Sequence, residues 1–261
     1  MNGLFKGTLY RMYKSTGVRV AVILTYIAAI VYYVLASMIA EGKFGVDMAG
    51  SVTGLGDAMI VWLFGSLIVG ILVGGDFETK TIHAASRYGR DNIVRNYVFV
   101  FGIMMIILLL PYVAGSVICI IACVNMKGAE ATSVSIFMDN ILSYNSDISI
   151  GKLILSYVSY VVVVFGQLSI LIVVALKVRK TVVVTCVGFF LGMLTALISS
   201  LASKVEILDN IYGLTPYNYS ISRLGMGAEI YEMFRGIGIS LLFTGICGFI
   251  GWLSFRKADI K

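Results

Sequence analysis

The side chains able to do chemistry are concentrated in residues 76–95, DFETKTIHAASRYGRDNIVR. This stretch holds the single histidine, His83, beside Asp76, Glu78, Lys80, Arg87, Arg90, Asp91 and Arg95. One imidazole outside the apolar runs cannot form a His-x-x-x-His or His-plus-carboxylate site within a membrane, so no metal ligands are assigned. No G-x-x-x-x-G-K-[ST] loop is present, so the chain does not cradle nucleotide phosphates in that way and no cofactor of its own is expected. Cys119, Cys123, Cys186 and Cys247 all fall in apolar runs, where they act as small apolar residues. Serines without a general base in reach are poor nucleophiles, which argues against an enzyme. The strongest polar group deep in an apolar run is Gln167, flanked by Phe165 and Ser169. It serves either an interhelical hydrogen bond or a substrate path, for which Phe165, Gln167 and Ser169 are the candidates.

The elements that must position these groups are apolar. Hydrophobic residues make up 59% of the 261-residue chain and charged ones 13%, against about 25% charged in a typical soluble domain. Six uncharged runs, residues 20–40, 58–75, 96–126, 153–176, 181–203 and 236–255, are 18 to 31 residues long. Crossing about 30 Å of hydrocarbon takes roughly 20 helical residues, so each run can span a bilayer. Pro111 in the longest run is expected to kink its helix. The fold class is an all-α integral membrane protein with six transmembrane helices, and residues 1–261 form a single membrane domain. Five further spans after the first exclude a cleavable signal sequence. The net charge of +6 resembles an anionic-partner signal until it is sorted by loop. Fourteen of the twenty basic residues lie in alternate segments, among them Lys6, Arg19, Lys80, Arg95, Lys177, Lys180 and Arg256. The positive-inside rule then places both termini in the cytoplasm and gives no reason to invoke nucleic acid.

Residues 2–19 read as an amphipathic interfacial helix. Leu4, Phe5, Thr8, Leu9, Met12 and Tyr13 cover one half of the wheel, and Lys6, Tyr10, Arg11 and Lys14 the other. Residues 177–180 make a minimal turn. Residues 204–235 form a long loop with four tyrosines and Pro216, either dipping into the outer leaflet or running as an ordinary loop with interfacial tyrosines. The six runs contain no Asp, Glu, Lys or Arg, and Asp57 and Asp76 only bracket the second. Ion-coupled carriers place an ionisable group near the midplane, so a transporter built this way needs an external motor.

Within residues 76–95, 76–80 form a charged helix exit and 81–86 a small helical patch. A turn at 87–90 contains Gly89, and Asp91 is the expected N-cap of the next helix. The run Glu78-Thr79-Lys80-Thr81-Ile82, followed by Arg87-Tyr88-Gly89-Arg90-Asp91-Asn92-Ile93 and Arg95, resembles the coupling segment of ABC-2-type transporter permeases. Two departures are Lys80 where that family often has glycine, and Arg87-Tyr88-Gly89 where it often has Pro-x-Ser before the arginine. The resemblance implies that Glu78, Thr79, Lys80, Thr81, Ile82, Arg87, Arg90 and Ile93 contact a separate ABC ATPase, which would bind ATP and magnesium. It further implies a pair of permeases, as a homodimer, in a bacterial plasma membrane. Within that family, compact six-span permeases resemble exporters of toxin or antimicrobial peptides such as lantibiotics and bacteriocins, so the expected cargo is a hydrophobic or amphipathic peptide. Exporters of small drugs, lipid-linked sugars or sodium share the scaffold. A membrane anchoring or assembly protein that moves nothing is the reading from another class.

Overall fold

The computed structural model describes residues 2–43, 52, 54–82, 89–124, 126, 135–144, 150–202, 211–219 and 221–256. Every regular element among them is helical. In chain order they are α1 (Asn2–Lys14), α2 (Thr16–Ala40), α3 (Asp57–Glu78), α4 (Arg90–Ile121), α5 (Ile136–Ser143), α6 (Ile150–Val178), α7 (Thr181–Ala202), α8 (Ile221–Leu224) and α9 (Ile230–Arg256). A 3-10 turn at Pro216–Asn218 precedes α8. Helices α2, α3, α4, α6 and α9 are long and apolar enough to cross a bilayer. The fifth apolar run forms α7, a 22-residue helix with no charged residue from Thr181 to Ala202. This is the architecture of a multi-pass α-helical membrane protein.

Local chemistry sets the boundaries. The expected N-terminal helix over 2–19 is broken at Ser15, which takes an extended conformation, so α1 stops at Lys14 and α2 starts at Thr16. The i, i+4, i+8 stripe Leu4, Thr8 and Met12 is buried, whereas Tyr13, expected on the apolar half, is 74% exposed. Thr8 accepts from Asn96 Nδ2 at 2.8 Å. The buried face of α1 is thus seated on α4, and its surface carries Lys6, Tyr10, Tyr13 and Lys14. Helix α4 continues through Pro111 as one element. Its N-cap is Gly89 rather than Asp91. Gly89 has φ +88°, a left-handed conformation that glycine adopts without strain. Asp91 falls in the first turn, where its charge complements the helix dipole.

The termini of α3, α4, α6, α7 and α9 that carry Lys80, Arg95, Lys177, Lys180 and Arg256 meet at one end, called here the basic end. Phe77 packs edge-on against Phe255 at 6.2 Å between centroids, and the Arg179 guanidinium lies 5.0 Å from the Phe77 ring centre. The opposite end is closed by aromatic packing. Phe137 of α5 stacks on Tyr112 and meets Tyr160 edge-on, and Tyr160 donates to the carboxylate of Asp57. Helix α5 was not apparent in the sequence. It is held by Asn140, which donates to Ser156 Oγ at 2.9 Å and accepts from the Met226 N–H at 2.9 Å.

The loop before α9 enters the bundle. Gln167 Nε2 donates to the Pro216 carbonyl at 3.0 Å, and Tyr217 returns a bond from its hydroxyl to the Gln167 carbonyl at 2.8 Å. Tyr217 also stacks on Trp62 and meets Phe243 edge-on. Gln167 lies about 26 Å along α6 from Ile150 at 1.5 Å per residue. Non-helical backbone at such depth is tolerated only where protein satisfies it, and Gln167 supplies that donor.

Candidate functional site

The site grows from the last turns of α3. Residues Gly70–Gly74 adopt a π-helical turn inside the helix. Such a turn takes up an extra residue and so rotates everything after it relative to the face before it. Past this point Asp76 turns inward and is 4% exposed, while Glu78, Thr79, Lys80 and Thr81 reach the surface.

Asp76 is the hub of a polar cluster that joins three helices. Arg11 of α1 forms an ion pair with its carboxylate, and Arg11 Nη2 lies 3.0 Å from Asp76 Oδ2 and 3.2 Å from the Leu72 carbonyl. Tyr97 of α4 donates to Asp76 Oδ2 at 2.7 Å, and Thr81 donates to Asp76 Oδ1. Arg11 Nη1 also reaches Thr81 Oγ1 at 3.1 Å. Burial lowers the Arg11 pKa from its ordinary value, partly offset by Tyr97. An arginine stays protonated even so. The two carboxylates that bracket the second apolar run lie at the ends of the helix that run forms. Asp57 and Asp76 belong to α3 itself and are buried, at 1% and 4% exposure.

Glu78 faces the other way and caps α7. Its Oε1 accepts from the Thr181 N–H at 2.9 Å and its Oε2 from the Thr181 hydroxyl at 3.0 Å. A carboxylate is favourable there because the first amides of a helix lack partners and carry partial positive charge. The turn before α7 is keyed into α3 as well. A Cβ at Gly70 would lie 2.8 Å from the Thr181 carbonyl oxygen, and one at Gly74 would lie 2.8 Å from its nitrogen. Only glycine permits this backbone-to-backbone contact.

No family model matches this chain, and no curated protein matches it. The assignment of roles therefore rests on geometry.

Of the residues expected to contact a partner, Glu78, Thr79, Lys80 and Thr81 are exposed at the basic end. Glu78 and Thr81 also hold the helices together. Ile82 and Ile93 are 2% and 1% exposed, so their side chains pack inside the chain and support the segment from beneath instead of presenting surface. Arg90 opens α4. Arg87 lies outside the described residues, as does His83. Sequence reasoning missed Arg11, Tyr97, Thr181 and the Gly70/Gly74 notch, for which no local spacing rule exists.

The expected path residues separate. Ser169 is 1% exposed and donates to the Gly166 carbonyl at 2.7 Å, and Gln167 holds the inserted loop. Phe165 instead lines a groove of about 670 Å³ between α4 and α9. Val98, Gly102, Ile106, Leu241 and Gly245 form its apolar wall, and Asp91, Arg95 and Trp252 stand at its basic end.

Proposed function

We propose that this chain is the membrane-embedded subunit of an ATP-driven exporter, with residues 76–95 as the surface on which a separate ATPase acts. The observation that carries this reading is the double attachment of the α3 exit. Asp76 binds it to α1 and α4, and Glu78 binds it to α7. A push on the exposed Thr79–Thr81 surface is thereby passed to four helices at once, the rigid connection that domain-scale switching requires. In this reading α7 is the fifth of six spans, the basic end faces the cytoplasm, and two copies form the working unit. The cargo is a hydrophobic or amphipathic peptide, in keeping with spans whose wall surfaces are apolar. The chain itself hydrolyses nothing, and ATP and magnesium belong to the partner.

The test uses this chain reconstituted with its ATPase in nanodiscs. Lys80→Glu is the informative variant, since Lys80 is exposed and makes none of the clamp contacts, whereas Glu78→Lys would also uncap α7. Lys80→Glu and Arg90→Glu are expected to abolish peptide-stimulated ATPase activity and transport at unchanged expression. Wild-type coupling in both variants, or stimulation by lipid-linked sugars alone, would overturn the corresponding part of the proposal.

A further inference from the structure

The Gly70–Gly74 turn of α3 differs from the helix around it in ladder, composition and contacts. The Gly75 N–H reaches back five residues to the Gly70 carbonyl, so the turn holds one residue more than an α-helix needs. Glycine occupies positions 70, 74 and 75, and it offers no side chain to resist a change of backbone path. Two carbonyls of the turn are held from outside the helix. Thr181 Oγ1 of α7 donates to the Gly70 carbonyl at 3.2 Å, and Arg11 Nη2 of α1 donates to the Leu72 carbonyl at 3.2 Å.

A π turn needs such donors and an α turn does not. The inserted residue leaves a carbonyl of the turn short of a backbone partner, which another group must supply. In a regular α-helix the same two carbonyls would accept from the N–H groups of Gly74 and Asp76. Both outside donors also reach the segment beyond the turn. The Thr181 hydroxyl lies 3.0 Å from Glu78 Oε2, so its one hydrogen is shared between turn and exit, and Arg11 Nη2 lies 3.0 Å from Asp76 Oδ2. The extra residue also has somewhere to go. Thr79 closes α3 and Lys80 leaves it with φ +57°, so a residue passed down the helix would unwind there.

We propose that Gly70–Gly74 is a two-state joint within α3. Thr181 and Arg11 lock its π form, and withdrawal of α7 or α1 lets it convert to an α-helical form. The conversion turns Asp76–Glu78 by about 100°, one residue of an α-helix. That rotation carries Asp76 away from Tyr97 and Glu78 away from Thr181. The π form is therefore the connected state of the α3 exit and the α form the disconnected one, a bistable element of the kind that switching proteins use. The joint follows from α3 and its two locks, and it stands whether or not an ATPase acts on the exit.

The experiment is double electron–electron resonance on the full chain in nanodiscs, cysteine-free except for spin-labelled Lys80→Cys and Phe99→Cys. Phe99 is exposed on α4, so the pair reads the angle of the exit against a neighbouring helix. One dominant distance is expected with both locks intact. Thr181→Val should enrich a second distance about fivefold, the effect of one hydrogen bond, and adding Arg11→Leu should enrich it further. Thr181→Ser keeps the donor and should behave as the parent. Ile71 is the one residue of the turn that is not buried. Deleting it takes out the extra residue, so Thr181→Val in that background should show the first distance alone. Deletion of Val73 does the same where loss of Ile71 prevents folding. A single unshifted distance in both Thr181→Val and the double variant would overturn the proposal. A second distance that survives the deletion would show fraying of the helix end, and would overturn it too.

Discussion

Arg11 and Asp76 are 65 residues apart, and their pairing decides where α1 sits. Asp76 is almost wholly buried, whereas the Arg11 side chain keeps 34% of its surface exposed. Removing the arginine leaves a buried carboxylate with only hydroxyl donors from Tyr97 and Thr81. The cost for a fully buried pair is about 3–5 kcal/mol, and the exposed guanidinium reduces it here to about 2–3 kcal/mol. Arg11→Leu should therefore lower the thermal unfolding midpoint in detergent, and Asp76→Asn added to it should restore much of the loss. A double variant no more stable than Arg11→Leu would mean that the pair is not what seats α1. This pairing was invisible in the sequence because each residue, read locally, is only a charge at a helix end.

At the scale of elements, the contact between α3 and the start of α7 depends on two missing side chains. Gly74→Ala would place a Cβ 2.8 Å from the Thr181 nitrogen and 3.1 Å from the Lys180 carbonyl carbon. Both obstacles are backbone and cannot rotate aside. Overpacking of this kind costs about 1–3 kcal/mol, more than the roughly 1 kcal/mol that alanine gains over glycine in a helix. Gly75→Ala is the control, since its Cβ would meet only Thr181 Oγ1 at 4.0 Å. We expect Gly74→Ala to be destabilised and Gly75→Ala to be neutral or stabilised in thermal melts. Equal stability of the two would remove the notch as the reason α3 and α7 pack so closely. A sequence reading sees these glycines only as permitted residues in an apolar run, because what they permit is the approach of residue 181.

For the whole molecule, the proposed topology, with the basic end in the cytoplasm, puts Lys80 and Cys123 on opposite sides of the bilayer. Cys123 is exposed just beyond α4. With the other three cysteines replaced by alanine, it should react with an impermeant maleimide on intact cells. Lys80→Cys in a cysteine-free chain should react only after permeabilisation, and labelling of both from one side would refute the topology. The apolar runs were legible because a bilayer demands length and absence of charge, both local properties. Five of the six are matched by helices long and apolar enough to cross, and the sixth by α7, which is 22 residues long. Helix α5 escaped notice because eight residues anchored by Asn140 leave no periodic trace. Gln167 was legible as an anomaly but not as an answer, since its partner Pro216 lies 49 residues downstream.

The inserted loop also constrains the order in which the molecule can be made. Tyr217 is held between Trp62 of α3 and Phe243 of α9, so its pocket is incomplete until α9 has left the ribosome. Gln167 needs less, since its partner carbonyl belongs to Pro216, ahead of α9 in the chain. The loop can therefore cover the polar group of α6 first, with α9 closing the aromatic side of its seat. A chain ending before Phe243 would keep the Gln167–Pro216 bond in reach and lose one wall of the Tyr217 seat, so α9 completes the packing of the loop and not its hydrogen bonding.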